Sequence, residues 1–417
     1  MELMTLDSTT LQPVSLVENY QTLVWTERYS KAGDFQITSN DVNYLINALP
    51  LETYVSLRES TVPMIVEAHK IEKKAQSAPL ITVVGRSFET VLERRASVKT
   101  LPSAALRTPW LLPAASASDA AYRAMRMVLG DVLITKGGVS ILPALSPAVS
   151  ANDAIPQISL TLPADYITPA WSSTIKYSPG DLAAVGTTIY QATSAANNLN
   201  VPPASNPTFW TALYTGQSGV YGTSFNYEIQ PADLYSTVMA LLGTNHHGLK
   251  AVRPVIGATK VALEIYNGAD LTSTIAFDAK FDQFDSSTYL LSHQGESNVG
   301  YVYGPNGSQS VLKTAAAEPS GLARRVLLVD DTNDANANTT DSRTTRGLIE
   351  LYKYNATALF DGQIAEQVAA GFNSSYFLGD ILTLNGEYGL SEQVRVAEYI
   401  RTSDATGSKA YPTFEAV

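Results

Sequence analysis

The sequence predicts an α+β chain that is mainly β, with a small all-β module set into its middle. Three observations point there. Runs enriched in β-branched and aromatic residues recur through residues 1–100 and again after 249. Only 16% of the residues are charged, whereas Gly, Pro and Tyr number 26, 21 and 22, a balance that favours sheets and turns over helical bundles. Helix-period patterns with a capping residue are few and short.

The elements follow in order. Leu3-Met4-Thr5-Leu6 reads as a first strand, closed by the turn-forming Asp7-Ser8-Thr9. Residues 16–26 and 33–38 read as the next strands, joined through Lys31-Ala32-Gly33-Asp34. Residues 40–49 suit a short helix capped by Asp41. Residues 54–58, 63–73 and 80–86 continue the strand pattern, and 87–95 form a helical turn or two opened by Ser87. The grain changes at 118–130, where Ala121, Met125, Val128 and Leu129 recur at helical spacing behind a Ser118-Asp119 cap, with Arg123 and Arg126 off the apolar stripe and Gly130 at the end. That stripe is a core-packing signal. A second helix, 234–242, opens at Pro231-Ala232-Asp233 and ends at Gly243. Strands are expected at 249–254, 261–266 and 275–277, then a polar loop over 330–342 and a helix over 343–359. Closing strands are expected at 364–366, 379–385 and 393–402, with a turn at Gly386-Glu387-Tyr388-Gly389.

Bulk properties exclude several classes. The 417 residues suffice for two to four domains. A net charge of −11 argues against nucleic acid or an anionic membrane as the main partner, because both select a basic face. No cysteine is present, which removes disulfides, thiolate zinc sites and cysteine nucleophiles. Met1 to Asp7 carries neither a basic nor a continuous apolar stretch, and no run approaches the roughly 20 apolar residues of a membrane span, so neither export by a signal peptide nor membrane insertion is expected.

The most distinctive segment is 165–216. It reads Trp171, Tyr177-Ser178-Pro179-Gly180-Asp181, Tyr190, Pro202-Pro203 and Trp210, with two of the four tryptophans and almost no charge. Aromatic faces separated by turns are what a surface needs to stack on sugar rings. Trp171, Tyr177, Tyr190 and Trp210 are therefore the candidate carbohydrate-binding residues. The same rings have a second reading: a domain of about 50 residues depends on aromatics to fill its core. Both readings stand at this point.

Catalytic and metal chemistry is not expected. Adjacent His246 and His247 point in different directions without a carboxylate at ligand spacing, and His69 and His293 are isolated. The run Asp330-Asp331 to Asp334 lacks the Gly and terminal Glu of a calcium loop. No zinc-protease, nucleophile-elbow or phosphate-loop motif occurs, and no cofactor is implied. The rival reading is a cell-wall glycan hydrolase or other lysin with an appended binding module, which wall hydrolysis by the pure protein would reveal. A free-standing adhesin is disfavoured by the missing export signal.

Two resemblances add to this. Residues 20–29, Tyr-Gln-Thr-Leu-Val-Trp-Thr-Glu-Arg-Tyr, followed by Gly33-Asp34-Phe35-Gln36-Ile37, resemble the opening of the siphophage baseplate-hub or tail-associated Gp37-like proteins. So do residues 83–95, Val-Val-Gly-Arg-Ser-Phe-Glu-Thr-Val-Leu-Glu-Arg-Arg. Tyr376 to Leu384, Val394 to Ile400 and Pro412-Thr413-Phe414 resemble the family's ending, and Arg324-Arg325 and Asp361-Gly362 fit between. The resemblance covers most of 1–160 and 217–417. It implies tail-hub-like β-barrel domains with small α/β parts and a homotrimer at the tip of the tail tube. Its partners would be the distal tail protein, the tape measure and the tip or receptor-binding proteins. The protein would be made in the host cytoplasm, reside in the virion and leave by lysis.

Residues 171–213 resemble chitin- and cellulose-binding modules of carbohydrate-binding families five and twelve, on the frame Trp171, Tyr177, Gly180-Asp181, Gly186, Tyr190 and Pro203 to Trp210. The exposed tryptophan usual before the proline is replaced here by Asn197-Asn198-Leu199-Asn200-Val201, which moves the implied ligand from chitin to a host cell-surface glycan. The expected organisation is a hub part at 1–164, the inserted module at 165–216 and a second hub part at 217–417.

Overall fold

The computed structural model describes residues 1–98, 110–114, 116–129, 133–136, 139–141, 153, 155, 157–162, 170–173, 176–177, 182–193, 198–215, 225–253, 260–281, 283–314, 317–332, 339–354, 357–364, 372–386 and 391–417. The chain is mainly β and divides into two compact units. The first unit draws on residues 1–90, 247–294 and 356–417; the second on 91–246 and 295–355.

The first unit is built on a 13-stranded sheet. Its main path runs Pro13–Val17, Leu3–Leu6, Tyr54–Leu57, Pro63–Glu72, Leu80–Ser87, Asp34–Ser39, Thr22–Arg28, Ser391–Asp404, Gly407–Ala416, Thr357–Ile364 and Phe284–Ser292. Ile381–Asn385 pairs with Ser391–Asp404 and carries Ala276–Asp278 in parallel beside it. Among the described residues the path stays open, ending at Pro13–Val17 and Phe284–Ser292. The strands form where alternation puts apolar side chains on one face: in Leu80–Ser87, Ile81 and Val83 are buried while Leu80 and Thr82 are half-buried. These residues join Trp25, Phe35 and Ile37 in one core, with Trp25 and Phe35 stacked at 5.7 Å. Helix α1 (Val42–Ala48) adds Leu45, and Asp41 caps it by accepting from the Tyr44 N–H at 3.0 Å. A second core gathers Phe277, Phe372, Tyr376, Tyr399 and Phe414, with the Phe372 and Tyr399 rings 3.7 Å apart and nearly parallel. The strands need one close backbone approach: a Cβ on Gly85 would sit 1.9 Å from the Ile65 carbonyl oxygen.

The first unit also buries a carboxylic acid. Glu89 is 3% exposed, and the Ser87 hydroxyl donates to its Oε1 while accepting from the Gly33 N–H at 2.8 Å. Among the described residues its Oε2 meets no hydrogen-bond partner. Burial pushes the carboxyl up to about 7, against a partial lowering by the Ser87 hydroxyl.

In the second unit, α2 (Ala117–Leu129) and α3 (Leu234–Gly243) pack on one another, and Trp110–Ala114 pairs antiparallel with Phe225–Ile229. Asp233 caps α3 by accepting from the Ser236 N–H at 2.7 Å. Helix α4 (Thr340–Tyr352) packs on a three-stranded sheet of Gln309–Lys313, Val299–Tyr303 and Val326–Asp330.

Several expectations change. The strand expected over 16–26 is two, Pro13–Val17 and Thr22–Arg28, because Asn19 takes a left-handed conformation (φ 55°) and turns the chain. The cap of α2 is Ser116, whose hydroxyl accepts from the Asp119 N–H at 3.1 Å, rather than Ser118-Asp119. Arg123 and Arg126 are buried, at 4% and 6% exposure, since α2 is covered on all sides. Arg123 Nε lies 3.0 Å from Asp119 one turn earlier, which supplies the counter-charge that burial demands. The helix over 343–359 stops at Tyr352; Thr357–Ile364 is instead a strand paired along Phe284–Ser292, where sheet pairing outweighs local propensity. The strands at 284–292, 299–303, 309–313, 326–330 and 407–416 were not anticipated. Gly130, Pro254, 178–181, 194–197, 333–338, 365–366 and 387–389, which carry other expectations, lie outside the described residues.

Candidate functional site

The aromatic segment folds as two small sheets around its own core. Leu182–Val185, Thr188–Ala192 and Trp210–Thr215 form a three-stranded antiparallel sheet, and Lys176–Tyr177 pairs with Asn198–Leu199. The first hairpin turns through Gly186 at φ 60°, a conformation glycine adopts without strain. A 3₁₀ turn, Pro203–Ser205, follows Pro202 and leads into the Trp210 strand. Asn206 holds that corner: its side chain donates to the Pro202 carbonyl at 2.7 Å, and its own carbonyl accepts from the Phe209 and Trp210 N–H groups.

The four candidate rings come together, in two roles. Tyr177 and Trp210 are each 2% exposed and meet edge to face at 4.9 Å. Ala183 and Ala192 pack beside them. The Trp210 indole donates to the Val201 carbonyl at 2.9 Å, and the Tyr177 hydroxyl accepts from the Ser172 N–H at 2.8 Å. Each core ring thus has its polar end satisfied, as burial requires. Trp171 and Tyr190 are half-buried and pack against this centre, along with Val201 and Phe209. The Trp171 backbone N–H donates to the Ala184 carbonyl at 2.9 Å, and among the described residues its indole Nε1 meets no acceptor. Tyr190 shares a sheet face with Ala183 and Ala212, its register partners. The module therefore has two rings that build it and two that present part of their area outward. Periodicity could not separate these roles, because the buried Tyr177 and Trp210 and the half-buried Tyr190 all stand on strands.

No group of His, Asp and Glu among the described residues is arranged to hold a metal ion. No helix among the described residues is long and apolar enough to cross a membrane.

None of the curated proteins compared with the chain matches it. Among solved structures, the chain is similar to the prophage tail protein gp18 of Listeria monocytogenes EGD-e, at 8% identity, TM-score 0.47, over 100% of this chain and 94% of that one. It is similar to a tail protein of Neisseria meningitidis MC58, at 8% identity, TM-score 0.46, over 99% and 96%. It is also similar to the 43 kDa tail protein of prophage MuSo2 from Shewanella oneidensis, at 9% identity, TM-score 0.49, over 99% and 98%. In sequence, the profile of the Siphovirus ReqiPepy6 Gp37-like proteins matches residues 3–414, on both sides of the aromatic segment and through it, and the chain belongs to that family.

Proposed function

We propose that this protein is a structural component of a siphovirus tail, the hub at the tail tip, assembled as a homotrimer that joins the tail tube to the tip proteins. The observation that carries this is the family match over 3–414, which takes in nearly every element of both units. The open sheet supports an assembled state. Its Pro13–Val17 edge strand leaves Val14 and Leu16 at 66% and 51% exposure, an edge that invites pairing with another chain unless assembly covers it. Light scattering of the purified chain tests the trimer: a mass near three times 44.8 kDa is expected, and a monomer at every concentration overturns it.

We further propose that residues 165–216 form an inserted module, and that it holds a host-surface glycan through the outward parts of Trp171 and Tyr190, with Tyr177 and Trp210 as the support beneath. Stacking on two partly exposed rings gives weak binding at each site, and three copies on one particle raise avidity when the glycan engages more than one. Retention on insoluble cell-wall material tests it. Loss of retention in a Trp171→Ala, Tyr190→Ala double variant with an unchanged melting curve supports the reading, and undiminished retention ends it.

A further inference from the structure

The first unit contains a cavity of about 620 Å³, within the size range of small-molecule and side-chain sites. Its lining holds four acids, Glu27, Glu59, Glu89 and Asp380, together with the apolar Phe372, Phe377 and Leu378. Arg28 and Lys250 also line it, but both are already occupied. Arg28 pairs with Asp34 at 2.7 Å and Glu398 at 2.6 Å, and Lys250 reaches Glu264 at 3.3 Å while lying over the Tyr266 ring. Glu27 has Arg401 as its partner. Among the described residues, Asp380 accepts from the backbone N–H groups of Ala269 and Phe377, at 2.7 and 2.8 Å. Glu59 is exposed and, among the described residues, makes no ion pair. The neighbouring Arg58 is paired with Glu2 instead. Among the described residues, Glu59, Glu89 and Asp380 thus have no cation paired with them, and Arg28 is shared by two acids.

We propose that this cavity is a socket for an alkyl guanidinium or ammonium group: the side chain of an arginine or lysine on a partner polypeptide. Unbalanced acids select a cation, and the apolar side chains that share the lining suit the methylene stem that such side chains lay along apolar surface. A partner polypeptide is favoured over a free small cation because Phe377 stands at 51% exposure among the lining residues, an apolar anchor for the residues flanking the inserted side chain. The chain's net charge of −11 favours a basic partner segment in the same sense. The inference holds whether or not residues 165–216 bind glycan.

Calorimetric titration of the full chain tests it with agmatine as the probe, its neutral counterpart butylurea, and the capped tripeptide Gly-Arg-Gly. Agmatine is expected to bind with a dissociation constant on the order of 1 mM, the range open to so small a ligand. Butylurea should bind at least about tenfold weaker, and Glu59→Gln should weaken agmatine by a similar factor. Glu59 is exposed, so this variant is expected to keep the wild-type melting curve, and Phe377→Ala should weaken the tripeptide more than agmatine. Equal uptake of agmatine and butylurea, or agmatine binding unchanged in Glu59→Gln, overturns the socket. Agmatine binding with the tripeptide excluded overturns the assignment to a polypeptide partner.

Discussion

Replacing Glu89 by Gln should change how the first unit responds to pH. The fold raises this carboxyl from 4.5 to about 7, with burial the leading cause and the nearby Glu27 charge a smaller one. Below pH 4.5 both folded and unfolded chains carry the neutral acid, and the burial is tolerated. Between pH 4.5 and 7 only the unfolded chain ionises, so the folded state binds one more proton and loses stability at about 1.4 kcal/mol per pH unit. Above pH 7 both states are ionised and the loss is complete, at about 3 kcal/mol. Glutamine has the same shape and no charge, and it can still accept from the Ser87 hydroxyl. The assay is hydrogen exchange of peptides covering residues 80–94, at pH 5 through 8, with rates corrected for intrinsic pH dependence. Relative to the variant, the wild type should lose about 2.5 kcal/mol of opening free energy across that range, most of it before pH 7. Parallel profiles for the two proteins would refute the reasoning, because they would mean that Glu89 ionises as freely in the fold as in water.

Other outcomes are expected. Trp210→Ala removes a 2%-exposed ring and its hydrogen bond to Val201, a loss of about 3–5 kcal/mol that should unfold so small a core; limited proteolysis within residues 165–216 checks it. Asp119→Ala removes a counter-charge beside the buried Arg123 and should lower stability by about 3–5 kcal/mol, whereas an Asp119→Leu, Arg123→Met double variant should recover most of it in urea unfolding. Gly85→Ala forces a methyl against the Ile65 carbonyl and the Phe35 ring and should yield insoluble protein, as a solubility assay at reduced temperature would read.

The parts legible in the sequence were those whose cause is local. Asp41 and Asp233 cap helices because an aspartate before an apolar stripe has an immediate N–H to accept from. Asp34–Ser39 and Leu80–Ser87 alternate because one face is buried by residues close in the chain. What escaped has distant causes. Residues 357–359 read as the end of a helix begun at 343, and only pairing with 284–292 makes Thr357–Ile364 a strand. Arg123 reads as a solvent-facing residue until the helix is seen covered on every side. In the aromatic module the four rings were identifiable as a group, but their division into two buried and two half-exposed follows from strand register. The cavity left no mark at all, since its acids stand at 27, 59, 89 and 380 and meet only in the fold.

The pairing of Thr22–Arg28 with Ser391–Asp404 has a consequence for biogenesis. Two ion pairs stitch that seam, Arg28 to Glu398 and Glu27 to Arg401, across sequence separations of 370 and 374 residues. A ribosome delivering 5–20 residues per second finishes the second strand roughly 20–70 seconds after the first. Throughout that interval the Thr22–Arg28 edge, with Leu23 and Trp25 beside it, is unpaired and open to the same strand of another nascent chain. Closure over so long a loop is entropically slow, so the yield of folded protein should depend on expression rate and temperature more steeply than its final stability would suggest.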